Sequence, residues 1–236
     1  MGGEVPEASD ESTEVIELIK TDSTPSFGQL PSRRYGAVGA MFSNVPILCG
    51  GSLSFGDLYD SCLSFQNSKW SQSHAMNEKR GDAAGMQLNS TTFWILGGSI
   101  DRGINTDSTE FIIQGQTNGV PGPKLPYPLF QMCAVKLSES QIFVIGGSSG
   151  GAKAEVWIYN QQNGFARTQG PSMNTPRSDH SCSIMSDGNK KLIVVAGGGD
   201  AGTVFDSVLI YDPSDNAWHS GKKIPAQKEL FEFIVF

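Results

Sequence analysis

Four glycine pairs, each closing a short apolar run, constrain this chain more than any other feature. They are Ile47-Leu48-Cys49-Gly50-Gly51, Trp94-Ile95-Leu96-Gly97-Gly98, Phe143-Val144-Ile145-Gly146-Gly147 and Val194-Val195-Ala196-Gly197-Gly198. The second glycines lie 47, 49 and 51 residues apart. A period near 50 residues is the mark of a stacked or radial array rather than of a single layered core.

Each unit repeats its other parts. A polar, glycine-rich loop follows the pair, and then a β-rich segment: Tyr59 to Phe65, Thr109 to Ile113, Val156 to Tyr159 and Val208 to Tyr211. A large aromatic comes next in three units, Trp70, Phe165 and Trp218. A turn then carries Arg34, Arg80 or Arg177, which stand 17, 18 and 21 residues before a second glycine. Val, Ile, Phe, Tyr and Trp suit a pleated, half-buried surface. A small twisted sheet cannot bury its faces alone, whereas sheets packed radially cover one another. Glycine near a crowded axis permits positive φ or close backbone approach, and the recurring Trp or Phe would fill the space between sheets.

The order Gly-Gly, Tyr, Trp, Arg resembles kelch repeats over about residues 13–225. The resemblance implies an all-β fold, a kelch-type β-propeller. We expect four complete four-stranded blades plus partial blade strands at both ends. The second unit departs from the pattern, with Asn118-Gly119-Val120-Pro121 where an aromatic is expected, and the third has Pro128 where others have Arg. Residues 1–12 read as an acidic, disordered tail and residues 13–236 as the propeller. Glu14 to Leu18 alternates like a late strand of a blade, and Leu230 to Phe236 resembles a first strand. Either the two ends complete one blade of a ring of about five, or the chain is part of a larger propeller, usually six-bladed in this family. The second arrangement is preferred.

The formal net charge of -7 and the absence of a Lys/Arg-rich run argue against nucleic acid as a partner. No apolar stretch approaches the ~18 residues of a membrane span. Cys49 and Cys62 flank a hairpin loop that could bring them face to face, as a disulfide or as two separate buried thiols. The layout is similar to kelch units of extracellular invertebrate proteins. Cys133 and Cys182 stand 49 residues apart and read as equivalent small buried hydrophobes. No closely spaced Cys/His set suggests a metal. Asn89-Ser90-Thr91 is a glycosylation acceptor triplet in a turn between strands. Compartment signals conflict: the cysteine pair and the triplet lean extracellular, whereas Met1 is followed by Gly2, Gly3 and Glu4 rather than by a secretion signal.

No catalytic constellation emerges. His74, His180 and His219 occupy different repeat positions. A galactose-oxidase-like copper oxidase needs two histidines, two tyrosines and a cysteine crosslinked to tyrosine, and no such motif is found. Gly197-Gly198-Gly199-Asp200 lacks the ending of a phosphate loop. The Pro-rich stretch Pro121 to Pro128 reads as a rigid inter-strand connection rather than an SH3 ligand. The expected role is a non-catalytic module, without cofactor, that binds an unidentified protein partner through propeller loops. Candidate surfaces are the four post-glycine loops and, as another set, the turns around Arg34, Arg80, Pro128 and Arg177. These arginines either meet the partner or brace adjacent blades, and bracing is preferred. Beside the oxidase, the other alternative is a ubiquitin-ligase substrate adaptor lacking its BTB part.

Overall fold

Short strands joined by tight turns build four antiparallel sheets in the computed structural model, which describes residues 28–54 and 56–225. The first sheet holds β1 (Tyr35–Phe42), β2 (Val45–Ser52), β3 (Ser61–Gln66) and β4 (Lys69–Ala75) in sequential order. The second holds β5 (Ala84–Asn89), β6 (Thr92–Leu96), β9 (Thr109–Ile113) and β10 (Val120–Pro121). Within its loop β7 (Ser99–Asp101) and β8 (Ile104–Asn105) make a separate ribbon. The third comprises β11 (Cys133–Lys136), β12 (Gln141–Ile145), β13 (Val156–Asn160) and β14 (Ala166–Gln169). The fourth comprises β15 (Ser178–Asp187), β16 (Lys190–Asp200), β18 (Val208–Asp212) and β19 (Ala217–Ser220), with the short β17 (Thr203–Val204) paired to β16. Ser43-Asn44 and Asn67-Ser68 hold positive φ at both positions, the two-residue turn whose twist matches that of its flanking strands.

The sheets are blades of a propeller. β1 packs on β5, β5 on β11 and β11 on β15, so the first strand of each blade lines the axis. Second strands are covered on both faces, which is why β6 and β12 are apolar and buried almost throughout. One core cluster runs through the last three blades and includes Trp94, Phe143, Ile145, Tyr159 and Tyr211. Another joins the first two through Val38, Phe42, Ile47, Phe93 and Ile112. Each such side chain contributes roughly 1.5–3 kcal/mol by leaving water.

The recurring aromatics wedge one blade against the preceding one. Phe165 of the third blade lies 5.1 Å from Trp94 and 5.3 Å from Phe111 of the second. Trp218 of the fourth packs on Tyr211 and donates its indole N–H to Pro171 O, 2.8 Å, at the end of the third. Trp70 packs with Leu63 and Leu30. The irregular second unit replaces this wedge with polar contacts. Ala75 of β4 exchanges backbone hydrogen bonds with Thr117 and Gly119, 2.8 Å each. The Glu110 carboxylate accepts from the Asn77 and Glu78 backbone N–H groups, at 2.6 and 3.1 Å.

Both glycines of each pair have φ between +57° and +99°, a region that side chains resist. A Cβ on Gly147 would stand 2.8 Å from Phe130 O and 2.6 Å from Met132 Cβ, so the pair also makes room for the first strand. The second glycine's N–H donates to the turn entering the next blade: Gly51 to Arg80 O, Gly98 to Leu129 O and Gly147 to Arg177 O, 2.9–3.0 Å. The third unit's counterpart of arginine is therefore Leu129, one residue beyond the expected Pro128. Leu129 is buried. Where other units place Ser61, Ser108 or Ser207 against the guanidinium, the third has Glu155, whose carbonyl accepts from Gly146 as those of Ser108 and Ser207 accept from Gly97 and Gly197.

Cys49 and Cys62 are directly opposed in β2 and β3 and joined by a disulfide, with Cα atoms 4.0 Å apart. The reading of Cys133 and Cys182 as separate buried hydrophobes is corrected: they form a second disulfide, Cα–Cα 6.0 Å. Repeat-equivalent positions on first strands meet across the blade boundary, because those strands pack side by side at the axis. The expected 1–12 tail and the strands Glu14 to Leu18 and Leu230 to Phe236 lie outside the described residues. Among the described residues no helix is long and apolar enough to cross a membrane.

Candidate functional site

The post-glycine loops and the inter-blade turns, expected as two sets, share one face. The first residue after each glycine pair faces the entry of a first strand: Tyr35↔Ser52, Gly81↔Ser99, Phe130↔Ser148 and Ser178↔Gly199. Each pair lies within one blade; the first and last belong to strand ladders, and the middle two are isolated bridges. A four-stranded up-and-down blade forces this, since the start of its first strand and the end of its second lie at the same end.

One residue further on, Gly36, Asp82, Gln131 and Asp179 all have φ of 51–61°. They are linked across blades, each by one backbone hydrogen bond: Asp82 N to Gly36 O at 2.9 Å, Gln131 N to Asp82 O at 2.8 Å and Asp179 N to Gln131 O at 3.0 Å. This belt runs along the mouth of the axis from the first blade to the fourth. Left-handed backbone is unfavourable for a side chain, least so for Asp and Asn, and persists where neighbours hold it. Burial raises the Asp82 carboxyl above its ordinary value.

Outside the belt the face carries exposed apolar groups. Tyr35, Leu53 and Ile104 are 42%, 47% and 54% exposed. Tyr35 lines a small cleft between the first two blades together with Leu58, Asp82, Asp101 and Arg102, and Leu53 and Ile104 directly follow two other lining residues, Ser52 and Gly103, in sequence. The loop at Gly56 approaches Arg102, so the two blades' loops meet there. A larger cleft of about 290 Å³ lies between the last two blades, with Ser148, Ser178, Asp179, Asp200 and Gly202 in its wall. Its lining is polar and small, unlike the apolar, aromatic pockets that enclose small ligands.

Arg34, Arg80 and Arg177 do not form this face; they lie behind it, 7%, 1% and 0% exposed. Arg34 donates to Gly50 O, 2.9 Å, and Ser61 O, 2.8 Å. Arg80 donates to Gly97 O, 2.8 Å, and to the buried Glu110 carboxylate, 2.8 Å. Arg177 donates to Gly197 O, 2.8 Å, and Ser207 Oγ, 2.9 Å, and burial lowers it to about 10. For Arg80 and Arg177 the backbone carbonyl holds one blade while the guanidinium holds the next. The glycine pairs, Trp70 and Trp218 are likewise buried, and Phe165 is partly buried against the same core. The stretch Pro121 to Pro128 runs between the second and third blades. Its Lys124 carbonyl accepts from Tyr159 Oη, 3.1 Å, and Arg167, 2.7 Å.

The three histidines stay apart in role. His74 packs edge-on against Phe42, and its pKa is lowered, chiefly by burial. His180 is buried in β15 and pushed down to about 3, first by burial and then by Arg177. His219 pairs with Asp215 at 2.8 Å on the surface. All four cysteines are in disulfides, so no thiol remains for the tyrosine crosslink a copper radical site requires. Gly197 to Asp200 ends β16 and leads directly into β17 rather than into a helix. Among the described residues no group of three His, Cys, Asp or Glu side chains is placed to hold a metal. Asn89 is exposed in the β5–β6 turn, at the opposite end of its blade from the loops.

The candidate loops Ser52 to Leu58 and Ser99 to Thr106 contain Leu53 and Ile104 without singling them out, while Tyr35 and the belt carry no sequence signal of their own. The repeat offers no signal for exposed apolar residues, whose share in one face follows only when adjacent blades are set side by side. Comparison with protein-family models matches residues 189–224 to the Kelch motif, which covers β16 to β19 of the fourth blade. No curated protein matches the chain.

Proposed function

Because this chain is a kelch-repeat β-propeller whose described residues form four blades, we propose that it is a non-catalytic binding module. Its loop-bearing face docks a protein partner over the first two blades. The observation that carries this is the cleft between those blades, lined by Tyr35, with Leu53 and Ile104 exposed on the two loops that border it. Exposed apolar groups rimmed by Asp57, Asp101 and Arg102 have the make-up of a protein contact, an apolar centre inside a polar rim. The rigid ground behind them suits such a role, since the backbone belt and the buried arginines limit what the loops must reorganise on binding.

The test compares the two ends of the blades. Leu53→Asp and Ile104→Asp change the proposed face; Met41→Asp and Met185→Asp change exposed apolar groups at the other. Proteins recovered with the wild-type chain from its natural source are quantified for each variant, with thermal melting as the control for folding. The first two substitutions are expected to weaken a specific partner roughly tenfold or more, the range of an interface hot spot, and the other two to leave it in place. Loss confined to Met41→Asp or Met185→Asp would place the interface elsewhere.

A further inference from the structure

We propose that Asn89 is an N-glycosylated residue and that the chain matures in an oxidising, secretory compartment. Two independent observations carry this. The first is the oxidation state. Cys49–Cys62 and Cys133–Cys182 use every cysteine in the chain. Each pair is placed by the fold itself, one across two opposed strands and the other across two blades. Each cystine has given two electrons and two protons to a disulfide-bearing oxidant, which compartments of secretion supply and reducing ones withhold.

The second is the turn at Asn89. Asn89, Ser90 and Thr91 are all exposed, at the tip joining β5 to β6. Asn89 Oδ1 accepts from Thr91 N at 2.9 Å and from Thr91 Oγ1 at 3.0 Å. Those bonds occupy the amide oxygen and polarise the amide, while the nitrogen Nδ2 is the atom that takes the sugar. Backbone contacts hold the tip: Ser43 N of the first blade donates to Ser90 O at 3.0 Å, and Gln87 Nε2 to Asn89 O at 3.2 Å. No other Asn in the sequence stands two residues before Ser or Thr without an intervening proline, so one glycan is expected. In the transfer, Nδ2 attacks C1 of a lipid-pyrophosphate-linked oligosaccharide. The C–N bond forms, the C1–O bond breaks, and the lipid pyrophosphate leaves as Nδ2 loses a proton. The glycan stands at the end of the blade away from the loops, so this proposal and the docking face are independent.

The full chain purified from its natural source under alkylating conditions tests both parts. We expect no alkylated cysteine until reductant is added, and an Asn89 peptide that peptide N-glycosidase in heavy-oxygen water converts to labelled aspartate. Alkylated cysteines in the unreduced chain would overturn the compartment, and bare Asn89 in a chain with both disulfides would overturn the site. Expression in a eukaryotic secretory host supplies the second arm. Asn89→Gln and Thr91→Ala should each abolish the glycan mass, and Thr91→Ser should keep it. A glycan retained by Asn89→Gln would overturn the assignment.

Discussion

His180 is a buried imidazole beside a buried guanidinium, and the two cannot share a full charge without loss. Burial and the Arg177 charge push its pKa down to about 3, against a partial return from the Ile145 backbone. The unfolded chain, with an ordinary imidazole near 6.5, therefore binds the proton more readily. Stability from this residue is fully present above about pH 6.5 and is lost as pH falls toward 3. At pH 5 the loss amounts to about 2 kcal/mol. Asp82 has the opposite sign: burial raises its carboxyl, so its contribution is present at acid pH and is lost as pH rises through its titration. Denaturant titrations at pH 7.5 and pH 5 should thus show a drop in the wild type that His180→Gln largely removes. An equal drop in the variant would assign the acid sensitivity elsewhere.

The buried arginines belong to the scale of elements, since they join a turn to the second and third strands of the blade it enters. Arg80 differs from Arg34 and Arg177 in also facing a buried carboxylate, Glu110, at 2.8 Å. Removing one partner leaves the other charge buried alone, a loss of about 3–5 kcal/mol. Arg80→Leu is therefore expected to destabilise more than Arg34→Leu, and the double variant Arg80→Leu with Glu110→Leu to lose clearly less than the sum of the two single variants, although Glu110→Leu also strips the Asn77 and Glu78 N–H groups of their acceptor. A denaturant-based double-mutant cycle measures the coupling, and additive single effects would refute it. Much at this scale was legible in the sequence. Glycine pairs, arginines and aromatics recur because each blade needs the same backbone turn, brace and wedge. Pro128 is the more conspicuous turn residue, and nothing local in the sequence marks the apolar Leu129 beside it as the residue that replaces the brace. The exchange of the second blade's wedge for Glu110 and a backbone bridge was equally hidden, since it depends on what β4 of the neighbouring blade offers.

Across the whole molecule the two disulfides do different work. Cys49–Cys62, 13 residues apart, closes a hairpin that the strands already pair, whereas Cys133–Cys182, 49 apart, ties two blades at the axis. The sequence concealed the second because a spacing equal to the repeat period resembles equivalence of role; only radial packing turns equivalent positions into neighbours. On the chain-entropy account the shorter link contributes about 3 kcal/mol and the longer about 4 kcal/mol. Replacing Cys133 and Cys182 by serine should lower stability by the larger amount and broaden or split the unfolding transition as the fourth blade separates. Replacing Cys49 and Cys62 should keep a single transition. Tryptophan fluorescence during denaturant unfolding distinguishes the cases, and a single sharp transition in both variants would contradict the inter-blade role. The belt through Gly36, Asp82, Gln131 and Asp179 has a consequence of another kind. Its links run between main-chain atoms, and the glycine pairs behind it contribute an absence of side chains, so the support for the loops is nearly indifferent to what the loops spell. Segments such as 148–154 can drift, lengthen or be transplanted between blades while the wheel beneath keeps its shape, which makes the recognition surface a replaceable part.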